Sequence, residues 1–164
     1  MLRHEMTVVG STVADVVAST GGWLYDRRAA GWQVTVLVAD RAGERALRIL
    51  GADVLDLGRG LHAISQDPDR VATLAVAADV YATDRRVRRL LSESDRRSAE
   101  VALWGDAETV HRSVSAVTHR LSAAAKAFKA QALVAAELSA EPIGATEALH
   151  RCGVTVLTPA SAKS

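Results

Sequence analysis

The stretch Thr7–Asp40, TVVGSTVADVVASTGGWLYDRRAAGWQVTVLVAD, decides the fold. Thr7-Val8-Val9 is a β-branched run that stops at Gly10, which suits a short strand. Val13, Val16, Val17 and Leu24 then recur at roughly helical spacing, and Gly31 stops the segment as a helix C-cap does. Gln33-Val34-Thr35-Val36-Leu37-Val38 follows as a second strand, ending at Asp40. An apolar strand of this kind is buried on both faces, the habit of parallel sheets covered by helices. Strand, helix and strand within so short a span make a βαβ unit.

The alternation continues outward. Glu44–Leu50 predicts a short helix closed by Gly51, Ala52–Leu57 a third strand, and Leu74–Ala78 a fourth, ending at Asp79. Thr83 is expected to cap a helix with the apolar face Val87, Leu90 and Leu91. Val101–Trp104 predicts a fifth strand, closed by Gly105-Asp106. Val110, Val114, Val117, Leu121, Ala125, Phe128 and Ala132 predict one long helix over Thr109–Leu138, and Val154–Leu157 a last strand or edge. The expectation is a single α/β domain over residues 1–164, a Rossmann-like three-layer sandwich with a mostly parallel sheet of about five strands.

Composition narrows the function. Lys and Arg total 20 against 19 Asp and Glu, so bulk charge disfavours nucleic-acid binding. The apolar runs fall far short of a membrane span, and Met1–Met6 has no apolar leader. The one cysteine, Cys152, has no intramolecular partner, which fits a reducing cytoplasm. The five histidines form no His-x-x-x-His pattern, and no Cys-x-x-Cys occurs. Neither a metal nor another cofactor is expected from these residues.

Ligands of such folds sit outside the carboxyl ends of the strands. Those ends carry Gly10-Ser11-Thr12 with Asp15 beyond, Asp40, Asp79, and Trp104-Gly105-Asp106. Free amides at Gly10–Asp15 suit an anion, but the stretch lacks the glycines of a dinucleotide fingerprint and the lysine of a P-loop. An N-cap by Ser11 or Thr12 is the simpler reading. Asp15, Asp40, Asp79 and Asp106 suit acid–base or cation-binding work if they converge, and turn formation if they do not. Arg85, Arg86, Arg88 and Arg89 crowd one helix beside Asp84, Glu93 and Asp95, which reads as an ion-paired solvated face.

The order Asp15, Gly21-Gly22-Trp23-Leu24, Ala30-Gly31-Trp32-Gln33-Val34-Thr35-Val36-Leu37-Val38 resembles the opening of the PIG-L/LmbE-like deacetylases. Glu44–Gly51 is similar to the helix that ends in Leu-Gly in that family. Leu121–Gln131 is similar to its Lys/Ala helix, and Glu147 falls where many members carry a late glutamate. The resemblance implies a zinc-dependent de-N-acetylase ancestry. That family ends its first strand in His-Pro-Asp-Asp-Glu. Counting back from Gly31 puts Asp15 on the second Asp, a zinc ligand, Thr12 on the ligand histidine and Ala14 on the base Asp. The later His-x-Asp-His has no counterpart in Asp79–Arg85. Zinc needs at least three good ligands to activate water.

The sequence therefore predicts a non-catalytic deacetylase-like domain that binds a small molecule or a protein partner. The candidate binding residues are Gly10, Ser11, Thr12, Asp15, Asp79, Arg85, Trp104 and Asp106. The alternative is a small metal-independent enzyme acting on a sugar or nucleotide at the strand ends. A third expectation is a partner subunit or homo-oligomer docked through Trp23, Tyr25 and Trp32, provided those rings are exposed.

Overall fold

The computed structural model describes residues 4–106, 114–140 and 142–152. Its elements run β1 (Glu5–Thr12), α1 (Val13–Ala29), β2 (Gln33–Asp40), α2 (Arg45–Ile49), β3 (Asp53–Asp56) and α3 (Leu57–Gln66). Then come β4 (Val71–Ala77), α4 (Ala78–Thr83), α5 (Arg85–Arg96), β5 (Glu100–Trp104), β6 (Val114–Arg120), α6 (Ala123–Ala135) and β7 (Thr146–Cys152). One seven-stranded sheet has the order β3-β2-β1-β4-β5-β7-β6. The first five in that row are parallel, while β7 is antiparallel to both β5 and β6. The mixed α/β sandwich expected from sequence is present, with two strands more than the five anticipated.

Val8, Val9, Val36, Val38, Leu74, Val76, Val101 and Leu103 are buried, so the core lies along the four central parallel strands. Right-handed crossovers place α1 and α2 on one face and α3 and α5 on the other. Helix α6 packs against α1 and α2 and completes the first face. None of the described helices is long and apolar enough to cross a membrane.

Two sequence expectations are corrected. The segment expected as one helix over Thr109–Leu138 contains β6 and then α6. Val114, Val117 and Leu121 fit a helical stripe, but Val114, Val117 and Thr118 are β-branched and pair with β7. Ser122 restarts the chain as a helix, its hydroxyl accepting the Ala125 N–H at 3.0 Å. Helix α5 is capped by Asp84, not Thr83; the Asp84 carboxylate accepts the Arg86 N–H, and the Thr83 hydroxyl donates to the Asp79 carbonyl. Trp23 is buried, and Tyr25 and Trp32 are half-buried. Tyr25 stacks on Phe128, while Trp32 stacks with His4 and also has the Arg27 guanidinium against its ring. Trp23 is therefore closed to a docking partner, while Tyr25 and Trp32 keep part of their surface at solvent. The expected strand Val154–Leu157 lies outside the described residues.

Two polar clasps hold α1 against the far half of the sheet. Glu147, on β7, is 4% exposed. Its carboxylate accepts the backbone N–H of Gly22 at 2.7 Å, that of Trp23 at 2.8 Å, and Lys129 Nζ at 2.8 Å. Gly22 makes the close approach possible: a Cβ there would lie 2.3 Å from Leu121 Cγ. One turn later Asp26 accepts the Ser122 hydroxyl at 2.6 Å and meets His119 Nε2 at 2.8 Å.

Candidate functional site

Strand β1 connects outward to β2 on one side, while β4 and β5 follow on its other side. The order therefore reverses between β1 and β4, and a crevice opens at their carboxyl ends, as it does in open α/β sheets generally. Its volume is about 390 Å³, and its polar lining is Asp15, Ser19, Asp79 and Asp106 around the Trp104 ring. Ala77, Ala78 and Ala82 supply apolar wall, and Gly105 the backbone beside them. A larger cavity of about 570 Å³ lies between α3 and α5, away from the strand ends. The switch point rather than volume selects the first.

Local sequence explains how Asp15 comes to the crevice. Thr12 ends β1 in extended conformation, and its hydroxyl accepts the Asp15 N–H at 3.2 Å, which starts α1. Asp15 thus stands in the first turn, where a carboxylate also complements the helix dipole. One oxygen accepts the Trp104 indole N–H at 2.9 Å, and the other accepts the Ser19 hydroxyl at 3.2 Å. Trp104 is 2% exposed at the end of β5. Gly10 leaves room for Val16 beside it, since a Cβ at that position would lie 2.5 Å from Val16 Cγ2, while it would only touch the indole ring at 3.5 Å. Asp15 is consequently held at two points with acceptor capacity left over, because each carboxylate oxygen has a second lone pair.

The candidates from sequence divide. Asp15, Asp79, Trp104 and Asp106 line the crevice together. Gly10 lies beneath it as a packing residue, and Thr12 acts as the helix cap. Ser11 is half-buried at the end of β1 and does not line the crevice. Arg85 is a correction: it is exposed at the start of α5 and is not part of the crevice wall. Asp40 is exposed and accepts the Ala42 N–H at 2.9 Å, a turn-forming role. Ser19 was missed. Its signal was the one-turn spacing from Asp15, which puts both on one helix face.

The arginine-rich helix behaves as a solvated face. Arg86 pairs with Asp84 at 2.8 Å, and Arg88 donates to the carbonyls of Tyr81 and Ala82. Cys152 is buried, and burial pushes its thiol up to about 12, which leaves it without thiolate character.

The zinc that the resemblance implies can be tested against these donors. Thr12 spends its hydroxyl oxygen on the helix cap, and a threonine is a poor substitute for imidazole. Asp15 alone, of the three positions the resemblance assigns to the zinc site and its base, carries a group able to ligate zinc well. Among the described residues no three His, Cys, Asp or Glu side chains gather closely enough to hold a metal ion. This donor set does not fit zinc.

No family model and no curated protein sequence matches the chain. Solved structures do. A deacetylase from teicoplanin biosynthesis superposes with a TM-score of 0.65 at 12% identity, covering 93% of this chain and 99% of that one. The N,N'-diacetylchitobiose deacetylase of Pyrococcus horikoshii gives 0.57 at 9% identity over 81% of this chain and 69% of that one. A 4-carboxy-2-hydroxymuconate hydratase from Pseudomonas putida gives 0.65 at 14% identity over 95% and 99%. The fold is therefore that of the LmbE/PIG-L-type deacetylases, as the sequence resemblance implied. It also carries a hydratase, so the fold alone does not choose the reaction.

Proposed function

We propose that this chain, built on the fold it shares with those deacetylases, binds a small ligand in the strand-end crevice without zinc-dependent amide hydrolysis. The observation that carries the reading is the state of Asp15. The carboxylate that the resemblance assigns to zinc is instead a fixed hydrogen-bond acceptor, oriented by Trp104 and Ser19. Ala14 stands where the resemblance expects the catalytic base and has nothing to transfer a proton with.

Ligand chemistry follows from the lining. Asp15 and Asp79 present acceptors, and the described lining residues include no Lys, Arg or His. Phosphate and carboxylate ligands are disfavoured by like charge. A ligand rich in donors is favoured, namely a hydroxylated molecule carrying a protonated amine. The volume of about 390 Å³ suits a monosaccharide-sized molecule. A reducing, intracellular setting is part of the same proposal and rests on the single buried cysteine.

The test pairs two titrations. Glucosamine is titrated by calorimetry into the wild type and Asp15→Asn. Zinc is titrated separately, with release of acetate from N-acetylglucosamine followed in its presence. The expected result is saturable glucosamine binding, weakened about tenfold by Asp15→Asn, the scale of one lost charge-assisted hydrogen bond. Stoichiometric tight zinc together with acetate release would overturn the proposal. A second reading, a metal-independent enzyme, draws on the hydratase neighbour and on carboxylates available for acid–base work. It requires turnover of a sugar or nucleotide that persists in chelator.

A further inference from the structure

The two edges of the sheet are built differently. Strand β3, at one edge, is four residues long and carries Asp53 and Asp56 at its ends. A short edge with charged ends resists pairing with another chain, because self-pairing would crowd two carboxylates from each copy onto one short ladder. Strand β6, at the other edge, is seven residues long, Val-Ser-Ala-Val-Thr-His-Arg. It has no proline and no lysine, and its register with β7 runs without a bulge from Val114↔Cys152 to Arg120↔Thr146. Among the described residues it pairs with β7 alone. Among the described residues no proline, lysine, bulge or covering segment protects it, and its arginine, Arg120, stands at its very end.

The ladder fixes which groups face outward. Leu121 N–H donates to the Ala145 carbonyl at 2.9 Å, in register with the pairs of β6 and β7. In an antiparallel ladder directly opposed residues alternate between bonded and non-bonded pairs. Ser115, Val117 and His119 therefore bond toward β7. The backbone groups of Val114, Ala116, Thr118 and Arg120 point away from the sheet. Ala116, Thr118 and Arg120 are exposed, so nothing in the described chain shields that edge.

We propose that β6 is the contact strand of a homodimer, two copies joining edge to edge and antiparallel about a two-fold axis at Val117. The occupant is a second copy because the strand is complementary to itself in this register. Ala116 falls opposite Thr118 of the other copy, Val114 opposite Arg120, Ser115 opposite His119, and Val117 opposite itself. All outward backbone groups of one strand then meet outward groups of the other. The charged residue Arg120 meets a valine, so no like charges oppose each other across the junction. The small side chains of Ala116 and Thr118 sit at its centre, and a C2 contact of this kind closes on itself. The edge lies beyond β5 and β7 from the crevice, so ligand binding there is an independent check of folding.

The experiment is sedimentation equilibrium of the full chain, with engineered cysteines as a geometric readout. The wild type is expected at twice the chain mass of 17.3 kDa. Thr118→Pro removes an outward N–H that the β7 ladder does not use, and is expected to give monomer with an unchanged circular dichroism spectrum. Should that variant fail to fold, Thr118→Lys serves the same purpose by charging the edge. Val117→Cys is expected to oxidise to a covalent dimer, because non-bonded antiparallel partners have Cα atoms about 4.5 Å apart, within disulfide reach. Ser115→Cys is expected not to, since two such cysteines are displaced along the strands. A wild type that stays monomeric, a dimer that persists in both Thr118 variants, or a dimer in which Val117→Cys does not cross-link would overturn the proposal. So would a dimer dissolved by Val134→Glu on the exposed face of α6 and untouched by Thr118→Lys.

Discussion

Helix α1 meets a carboxylate at two places, and they are of opposite character. In its first turn Asp15 is half-buried, is held by Trp104 and Ser19, and borders an open crevice. At its middle Glu147 reaches in from β7, is buried, and accepts two backbone amides and an ammonium. Both carboxylates are fixed by hydrogen bonds, yet one keeps acceptor capacity facing a cavity and the other has closed its surroundings. Burial with complete satisfaction marks a structural group. Fixation at the wall of a cavity marks a group able to receive a ligand. Both also stand at positions singled out by the family resemblance, so resemblance alone does not separate the two roles.

The sharpest way to break this comparison is Glu147→Ala. It leaves Lys129 buried without its counter-charge and two amides of α1 without acceptors. Removing one member of a buried pair costs about 3–5 kcal/mol. The expected outcome is a large loss of urea stability. Glu147→Ala combined with Lys129→Met should recover part of that loss, because the stranded charge is gone. If Glu147→Ala were neutral, the inserted carboxylate would not be the fastening described here. Next in size is Gly22→Ala, whose added Cβ would fall 2.3 Å from Leu121 Cγ. Overpacking of this kind costs about 1–3 kcal/mol, and Leu121→Ala in the same chain should relieve the clash while opening a gap of its own. Chemical denaturation of the single and double variants reads both terms.

At the crevice the expectation reverses, with little stability lost and binding affected. Trp104→Phe keeps most of the buried ring and removes one hydrogen bond to Asp15. A net hydrogen bond is worth about 0.5–1.5 kcal/mol, so the thermal midpoint should move by a few degrees at most. Glucosamine affinity should fall by more than that stability loss accounts for, because the carboxylate loses one of its two anchors. Equal losses in stability and affinity would reduce Trp104 to a packing residue.

These contrasts also show what sequence could tell. The βαβ unit of Thr7–Asp40 was legible because its strands are continuous β-branched runs and Gly31 marks the turn. The parallel half of the sheet followed from it. The antiparallel half was not, since Val114, Val117 and Leu121 satisfy a helical stripe as well as they satisfy β6, and only pairing with β7 decides between them. Helix α3 drew no expectation: two glycines, Gly58 and Gly60, weaken its helical pattern, while Gly60 is used where α3 comes close to Leu37 of β2. At the site, Asp15, Asp79, Trp104 and Asp106 were legible as residues after strands, which topology brings to one edge. Arg85 entered through the resemblance, as the end of the Asp79–Arg85 segment, and a place in the chain says nothing of which way a side chain faces. Glu147 was noticed by its place in the chain, but the two amides it accepts lie more than a hundred residues away on α1, a contact no local pattern encodes.

The smallest effect belongs to the second clasp, at the end of α1 remote from the crevice. Burial alone raises the Asp26 carboxyl, but hydrogen bonds from Ser122 and His119 outweigh it and hold the group below its ordinary value of 3.8. A carboxylate depressed in the folded state contributes stability that is present above its unfolded value and is lost as pH falls through the folded one. The acid limb of stability below about pH 4 should therefore be shallower in Asp26→Asn than in the wild type. At neutral pH Ser122→Ala should cost about 1 kcal/mol, the usual worth of an N-cap, because Ser122 both caps α6 and bonds Asp26. Urea denaturation of the two variants at several pH values separates these contributions. Glucosamine binding should be unchanged in both, since this clasp and the crevice sit at opposite ends of α1. A change in affinity on substituting Asp26 would show that the two ends are coupled through the helix, and would overturn the division of labour between its carboxylates.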